Sequence, residues 1–292
     1  MEYKDKLEKL AENSYKIEVS IAWSDMEKAK KQALAALAKN AEIKGFRKGK
    51  APLNIVQEHL GEQRLLEEAS KNVLSEVYSQ LIKKHQLQPF MEPKITLLKA
   101  PMGGDWEFRF EIAGPPVISK MPDYQKIAKE VTSELKKEDI WVPGKNEPEK
   151  DDSKKEDKQN KKLQLIFDKL MKQAEIKISP LILDTEVSRR LTAIYDEVKK
   201  LGLTVEQYLE SKKLTADALK DKTKAEIIDL YKSEFLLEQI ADKEKIVVED
   251  KDLEKIYSKA KDDKEKELYK KNSYLYVRLL RKQKTLDFLA SL

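Results

Sequence analysis

The sequence has no cysteine, so disulfides, thiolate metal sites and a cysteine nucleophile are all excluded. It has two histidines, His59 and His85, far apart in the chain, which leaves little room for imidazole chemistry. Glycine is scarce at 8 residues and proline at 10 in a chain of 292. That scarcity argues against a nucleotide-binding α/β enzyme, whose glycine-rich turns bring backbone against phosphate. No P-loop or other nucleotide signature is present. No stretch approaches the ~18 uninterrupted apolar residues of a membrane-spanning helix. The charged start Met1-Glu2-Tyr3-Lys4-Asp5-Lys6 lacks the apolar stretch of a signal peptide. The expectation is a cytoplasmic protein with no cofactor, no nucleotide and no membrane partner.

What the chain has is charge. Lys and Arg number 58 against 53 Asp and Glu, together 38% of residues, beside a hydrophobic fraction of 40%. This balance rules out a collagen-like or wholly disordered chain and describes long amphipathic helices under a charged surface. A net charge of +5 is mild, so affinity for nucleic acid has to come from a local patch. The length suits two domains.

Strict alternation of Tyr15, Ile17, Val19, Ile21 and Trp23 predicts a strand with one buried face. Ser24 and Glu27 stand at capping-box spacing before a helical run from Asp25 to Lys39, with Asn40 as a left-handed stop. Pro52 suits the first position of a second helix, Gly61 interrupts it, and a longer helix follows from about Glu62 to Gln86. Ile95 and Leu97, then Trp106, Phe108, Phe110 and Ile112, alternate around a Gly103-Gly104-Asp105 turn. The order strand, helix, helix, strand, strand predicts an α+β domain with helices on one side of an antiparallel sheet. The first dozen residues are ambiguous: Leu7 and Leu10 suit a helix, and a further strand beside Tyr15–Trp23 is equally compatible.

Gly114-Pro115-Pro116 ends this domain, and Lys145–Lys162 reads as a solvated, charged linker with a short apolar island at Trp141-Val142-Pro143. From Leu163 the pattern is helical almost throughout, with an opening at Ser179-Pro180 and caps at Thr204 and Thr215. The expected domains are 1–119 (α+β), 120–160 (linker) and 161–292 (all-α).

The most informative segment is Lys44-Gly45-Phe46-Arg47-Lys48-Gly49-Lys50-Ala51-Pro52. Lying between two helices, it reads as a projecting loop in which two glycines free the backbone to turn. Four cations gather there, with no acid between Glu42 and Glu58. An aromatic ring beside a guanidinium suits docking on a macromolecule: the cations pair with phosphate or carboxylate and the ring fills a pocket. The alternative is a solvated basic turn whose phenylalanine folds back on the hairpin.

Gly-Phe-Arg-x-Gly-x-x-Pro in this setting resembles the ribosome-binding signature of the bacterial trigger factor family, matched at Gly45, Phe46, Arg47, Gly49 and Pro52. Asn54-Ile55-Val56, Ile178-Ser179-Pro180, Gly202–Leu209 and Leu236–Val248 resemble the family as well. The resemblance implies an ATP-independent chaperone. It would dock beside the nascent-chain exit tunnel, against ribosomal protein and rRNA, through Gly45, Phe46, Arg47, Lys48, Gly49, Lys50 and Pro52. Its helical C-terminal domain would shelter unfolded nascent polypeptides. One departure stands out. The family normally carries an FK506-binding-type prolyl isomerase domain, whereas only about 60 residues separate Gly114 from Ile176, too few and too charged for an independent core. Tyr124, Trp141 and Phe167 are the only aromatics there to line a catalytic pocket. The expectation is that the module is absent and that the chain is not an enzyme.

In the C-terminal helices, Leu236-Leu237 and Tyr274, Tyr276, Leu279 and Leu280 supply more apolar positions than one stripe can bury. Either they pack on two sides, or they form shallow client-binding patches broken by charge. His59 and His85 read as residues near helix ends, and Asp151-Asp152 and Asp262-Asp263 as solvated charge, since neither pair has metal-ligand spacing. An alternative of a different class is an RNA-binding ribosome-assembly factor whose helices recruit a protein.

Overall fold

The computed structural model describes residues 3–138 and 152–292. Two compact units emerge, Met1–Pro115 with Ile178–Asp184, and Pro116–Lys177 with Thr185–Leu292.

The first unit runs β1 (Tyr3–Leu10), β2 (Ser14–Ile21), α1 (Trp23–Ala38), α2 (Leu53–Leu60), α3 (Glu62–Lys84), β3 (Lys94–Lys99) and β4 (Trp106–Ala113). Its strands form one antiparallel sheet in the order β1-β2-β4-β3. The period of two puts Ile17, Val19 and Ile21 of β2 on one face with Trp106, Phe108, Phe110 and Ile112 of β4. Helices cover that face with Met26, Ala29 and Ala33 from α1 and Ala69, Val73, Val77 and Leu81 from α3. The opposite face carries ion pairs such as Arg109–Glu18 at 2.8 Å and Lys16–Glu8 at 3.0 Å. This is the α+β arrangement that the alternation predicts.

The ambiguous first residues are a strand, paired along its length with β2 from Tyr3↔Ile21 to Leu10↔Ser14. Asp5 pins it to the end of α3: the nearly buried carboxylate accepts from Lys84 Nζ at 2.6 Å and lies 2.7 Å from His85 Nε2. Burial pushes this carboxyl up, but the bonds from Lys84 and His85 outweigh it and hold its pKa below the ordinary 3.8. Two local expectations fail. Helix α1 begins at Trp23, one residue before Ser24, and no side chain caps it. The Trp23 ring sits 6.5 Å from that of Trp106, a packing contact at the helix entry that the capping pattern does not encode. Asn40 is not left-handed; the positive-φ positions near it are Gly45 and Gly49.

The second unit holds β5 (Val117–Lys120), α4 (Tyr124–Glu138), α5 (Asp152–Gln173) and β6 (Glu175–Lys177). Helix α6 (Pro180–Lys200) starts in the first unit, where the Ser179 hydroxyl accepts from Leu181 N–H and meets Ser14 Oγ at 2.8 Å. Then come α7 (Val205–Lys212), α8 (Ala216–Lys243), α9 (Asp250–Tyr257), α10 (Asp263–Lys271) and α11 (Ser273–Ser291). Thr204 closes a capping box with Gln207 on α7, and Thr215 caps α8 by accepting from Ala218 N–H. Asp262 caps α10, a helix that the sequence pattern does not reveal, by accepting from Glu265 N–H.

One reading needs correction. Residues 124–138 and 152–160, expected within a charged linker spanning 120–160, form α4 and the first part of α5. Tyr124, Ile127, Ala128 and Val131 of α4 are buried in one core with Ile166 and Leu170 of α5, Leu236 and Ile240 of α8, and Leu289 of α11. The signal was there: positions 124, 127, 128, 131 and 135 make an apolar stripe of helical spacing. Burial, and then the hydrogen bond that the Tyr124 hydroxyl donates to Glu244, push the phenol up to about 12. The Trp141-Val142-Pro143 island and Asp151 lie outside the described residues.

Candidate functional site

After α1 the chain crosses residues 39–52 before α2 begins. The crossing is braced by its own backbone: Phe46 N–H donates to Ile43 O at 3.0 Å, and Lys50 N–H to Arg47 O at 2.9 Å. Gly49 N–H reaches back to Ala41 O at 3.1 Å and closes the loop. Gly49 sits at φ +72°, and a Cβ there would stand 2.4 Å from the Lys39 carbonyl oxygen. Only glycine satisfies both the dihedral and the approach. Gly45 also has positive φ, at +92°, but open space where a Cβ would be. Pro52 occupies the N-cap of α2, one residue before the first helical position, with φ −57° and ψ 145°.

The geometry presents what the sequence brings together. Phe46 is 44% exposed, so it does not fold back into the core. Lys44, Arg47, Lys48 and Lys50 are exposed around it. Lys48 Nζ pairs with Glu42 at 2.9 Å, but both groups face solvent, where such a pair contributes little. The Arg47 guanidinium has no hydrogen-bond or ion-pair partner among the described residues. Leu53, at the start of α2, is 51% exposed and adds a second apolar group that the sequence pattern does not single out. A ring, an uncommitted guanidinium and flanking lysines can engage phosphate or carboxylate while burying apolar area.

The C-terminal candidates separate. Leu236 and Leu237 are 0% and 2% exposed and belong to the core, so as client-binding residues they are a correction. They stand where α8 buries two adjacent faces, with neighbours in both α5 and α11. Tyr276 and Leu280 are half-buried, and Tyr276 packs 5.3 Å from the Tyr269 ring. Tyr274 and Leu279 are open, at 64% and 62%, as is Leu275 beside them. A groove of about 400 Å³ between α8 and α11 has Leu237, Ala241, Leu275 and Leu279 in its lining, with Glu234 and Glu238 on one helix and Arg278 and Lys282 on the other. Tyr274 does not line it.

His59 is exposed in the last turn of α2, and His85 ends α3 against Asp5. Among the described residues no group of three His, Asp or Glu could hold a metal ion, and no helix is long and apolar enough to cross a membrane.

The two units therefore make a two-part protein: an α+β unit that exposes a cationic, aromatic loop, and a mainly helical unit with a charged, grooved surface. Two family models match it, bacterial trigger factor protein over residues 3–141 and bacterial trigger factor protein C-terminus over residues 148–291. The chain belongs to the bacterial trigger factor family. The trigger factor of Clostridium kluyveri is 33% identical over 147 residues, which cover 50% of this chain and 34% of that one. The trigger factor of Moorella thermoacetica is 32% identical over 116 residues, covering 40% and 26%. These matches span about a third or less of the relatives' own length. A solved structure of the trigger factor chaperone, described in terms of promiscuous substrate recognition in folding and assembly, aligns over 98% of this chain and 99% of its own with a TM-score of 0.62. At 16% identity that likeness speaks to the fold alone.

Proposed function

We propose that this protein is a ribosome-associated, ATP-independent chaperone that meets nascent polypeptides at the exit tunnel, and that Phe46, Arg47 and Lys48 carry the docking, held in shape by Gly45, Gly49 and Pro52, with Lys50 beside them. The observation that carries the reading is the exposed Phe46 next to the Arg47 guanidinium, unpartnered among the described residues, on a loop braced from below by Gly49. Membership of the trigger factor family supports it independently. The helical unit then supplies the client surface, with Tyr274, Leu279 and the α8–α11 groove replacing the buried Leu236 as contact points.

The protein acts without isomerase activity in this reading. The family matches leave only residues 142–147 between them. Tyr124 and Phe167, two of the three aromatics available for a catalytic pocket, pack in the core of the helical unit instead. Co-sedimentation with ribosomes tests the docking. The variant Phe46→Ala/Arg47→Ala/Lys48→Ala should stay folded and lose binding, since removing one hydrogen bond from a charged group costs about 1.5–3 kcal/mol. A folded variant that still co-sediments refutes the assignment. A variant that loses ribosomes while the wild type also fails to suppress aggregation of a refolding protein favours an RNA-binding assembly factor.

A further inference from the structure

The two edges of the first unit's sheet are built differently. Strand β1 carries charge at Lys4, Asp5, Lys6, Glu8 and Lys9, the usual protection against pairing with another chain. Strand β3 has lysines only at its ends, Lys94 and Lys99, with the uncharged run Ile95-Thr96-Leu97-Leu98 between them. All six of its residues are exposed, Ile95 at 40%, Leu97 at 52% and Leu98 at 36%. Among the described residues it pairs with β4 on one side only, and its other side presents backbone N–H and C=O groups with no strand beside them. Ile95 stands opposite Phe110, and Leu97 opposite Phe108. Both phenylalanines are buried on the helix-covered face, so Ile95 and Leu97 continue that apolar face outward past the last strand.

We propose that β3 accepts an extended apolar segment of an unfolded polypeptide as an added strand, and that the segments it prefers carry acidic residues at their ends. This deepens the chaperone reading and rests on it. Backbone pairing gives affinity without demanding a sequence, which suits varied clients, while alternate apolar side chains of the guest extend the face begun by Ile95 and Leu97. Charge selects the guest. A second copy of β3 pairing antiparallel about the strand's centre would set Lys94 against Lys99 at both ends, a like-charge arrangement that disfavours self-association. Lys94 and Lys99 already pair with Glu111 and Glu107 across β4, at 3.6 and 3.0 Å, and both lysines remain about two-thirds exposed and open to a further carboxylate.

The test uses the full chain and a fluorescent peptide of alternating valine and threonine with an acid at each end. Two controls accompany it, the same peptide N-methylated at alternate residues and one with basic ends. Binding should weaken at least tenfold on N-methylation, and again in the variant Ile95→Lys/Leu97→Lys. The basic-ended peptide should bind several-fold less well. Circular dichroism and a urea melt check that the variant keeps its fold; because both positions are exposed, it should. Equal affinity for the native and N-methylated peptides refutes strand addition. Unchanged peptide binding by the folded double-lysine variant refutes the site while leaving the chaperone reading intact, since aggregation suppression is scored separately. Loss of suppression by the wild type, with peptide binding preserved, sinks the chaperone reading instead. A dimer seen by sedimentation that the double-lysine variant abolishes, without peptide binding, assigns the edge to a second copy and overturns the proposal.

Discussion

The sharpest test of the docking loop is a single methyl group at Gly49. In Gly49→Ala, the new Cβ would stand 2.4 Å from the Lys39 carbonyl oxygen, about 1 Å inside ordinary contact, at a φ of +72°. The dihedral costs a non-glycine residue roughly 1–2 kcal/mol. Relieving the clash moves Gly49 away from α1 and breaks its 3.1 Å bond to Ala41 O, worth about 0.5–1.5 kcal/mol. The total is about 1.5–3.5 kcal/mol, and it can fall in two places. If the loop holds its shape, the strain lowers the stability of the first unit. If the loop yields, stability is spared and the Phe46 ring and Arg47 guanidinium leave their positions, so ribosome affinity falls by about tenfold for each 1.4 kcal/mol. Gly45→Ala is the internal control: its φ is also positive, but no atom lies within 4 Å of the new Cβ, so it costs only the dihedral. Urea unfolding followed by tryptophan fluorescence, in a Trp141→Phe background, reports stability through Trp23 and Trp106, both in the first unit. Co-sedimentation reports affinity. A Gly49→Ala variant normal in both measurements, or a Gly45→Ala variant equally damaged, refutes the argument that close approach to Lys39 shapes the loop.

Other expectations follow from the same structure. Asp5→Asn should destabilise the first unit by about 1–2 kcal/mol, discounted for the exposure of Lys84. Because the folded Asp5 pKa lies below 3.8, the wild-type advantage should be whole above that value and shrink as pH falls through the folded pKa; a difference between the two proteins that does not shrink on acidification contradicts the linkage. Leu236→Ala should cost about 2–5 kcal/mol in a urea melt as a core truncation. Tyr274→Ala/Leu279→Ala should leave the melt nearly unchanged yet weaken aggregation suppression; the reverse pattern would return Leu236 to the client surface. The full chain should not accelerate X-Pro isomerisation in a peptide assay, where the uncatalysed reaction takes tens to hundreds of seconds. Catalysis that survives removal of contaminating isomerases would overturn the non-enzymatic reading.

How far the sequence reveals the fold depends on which interactions decide each element. The sheet of the first unit is legible because β2 and β4 bury one face and expose the other, so Ile17, Val19 and Ile21 alternate with charged or polar neighbours. Strand β1 is not legible: past Asp5 it is exposed on both faces, and its place comes from backbone pairing with β2 and from the Asp5 clamp on α3. Helix α4 is hidden for a different reason. Its stripe is short and stands in a charged background, and its partners in α8 and α11 are more than a hundred residues away in sequence. Charge density shows that a segment is solvated on one side. It does not show that the other side is unpacked.

The same distinction explains the candidate sites. The loop is legible because its chemistry is local: Gly45, Gly49 and Pro52 set the backbone within a few residues of Phe46 and Arg47, and among the described residues no distant element covers them. Even there, the closing contact is with Lys39 and Ala41 main chain, and backbone positions carry no side-chain signature in the sequence. The client surface is not legible in this way. Leu236, Leu237, Tyr274 and Leu279 look equivalent as excess apolar residues, and only the packing of α8 against α5 and α11 decides which are buried. At a helix end that touches two neighbours, a second apolar face is needed for packing alone. An excess over one stripe becomes evidence for binding only after those neighbours are accounted for, and here that leaves Tyr274, Leu275 and Leu279.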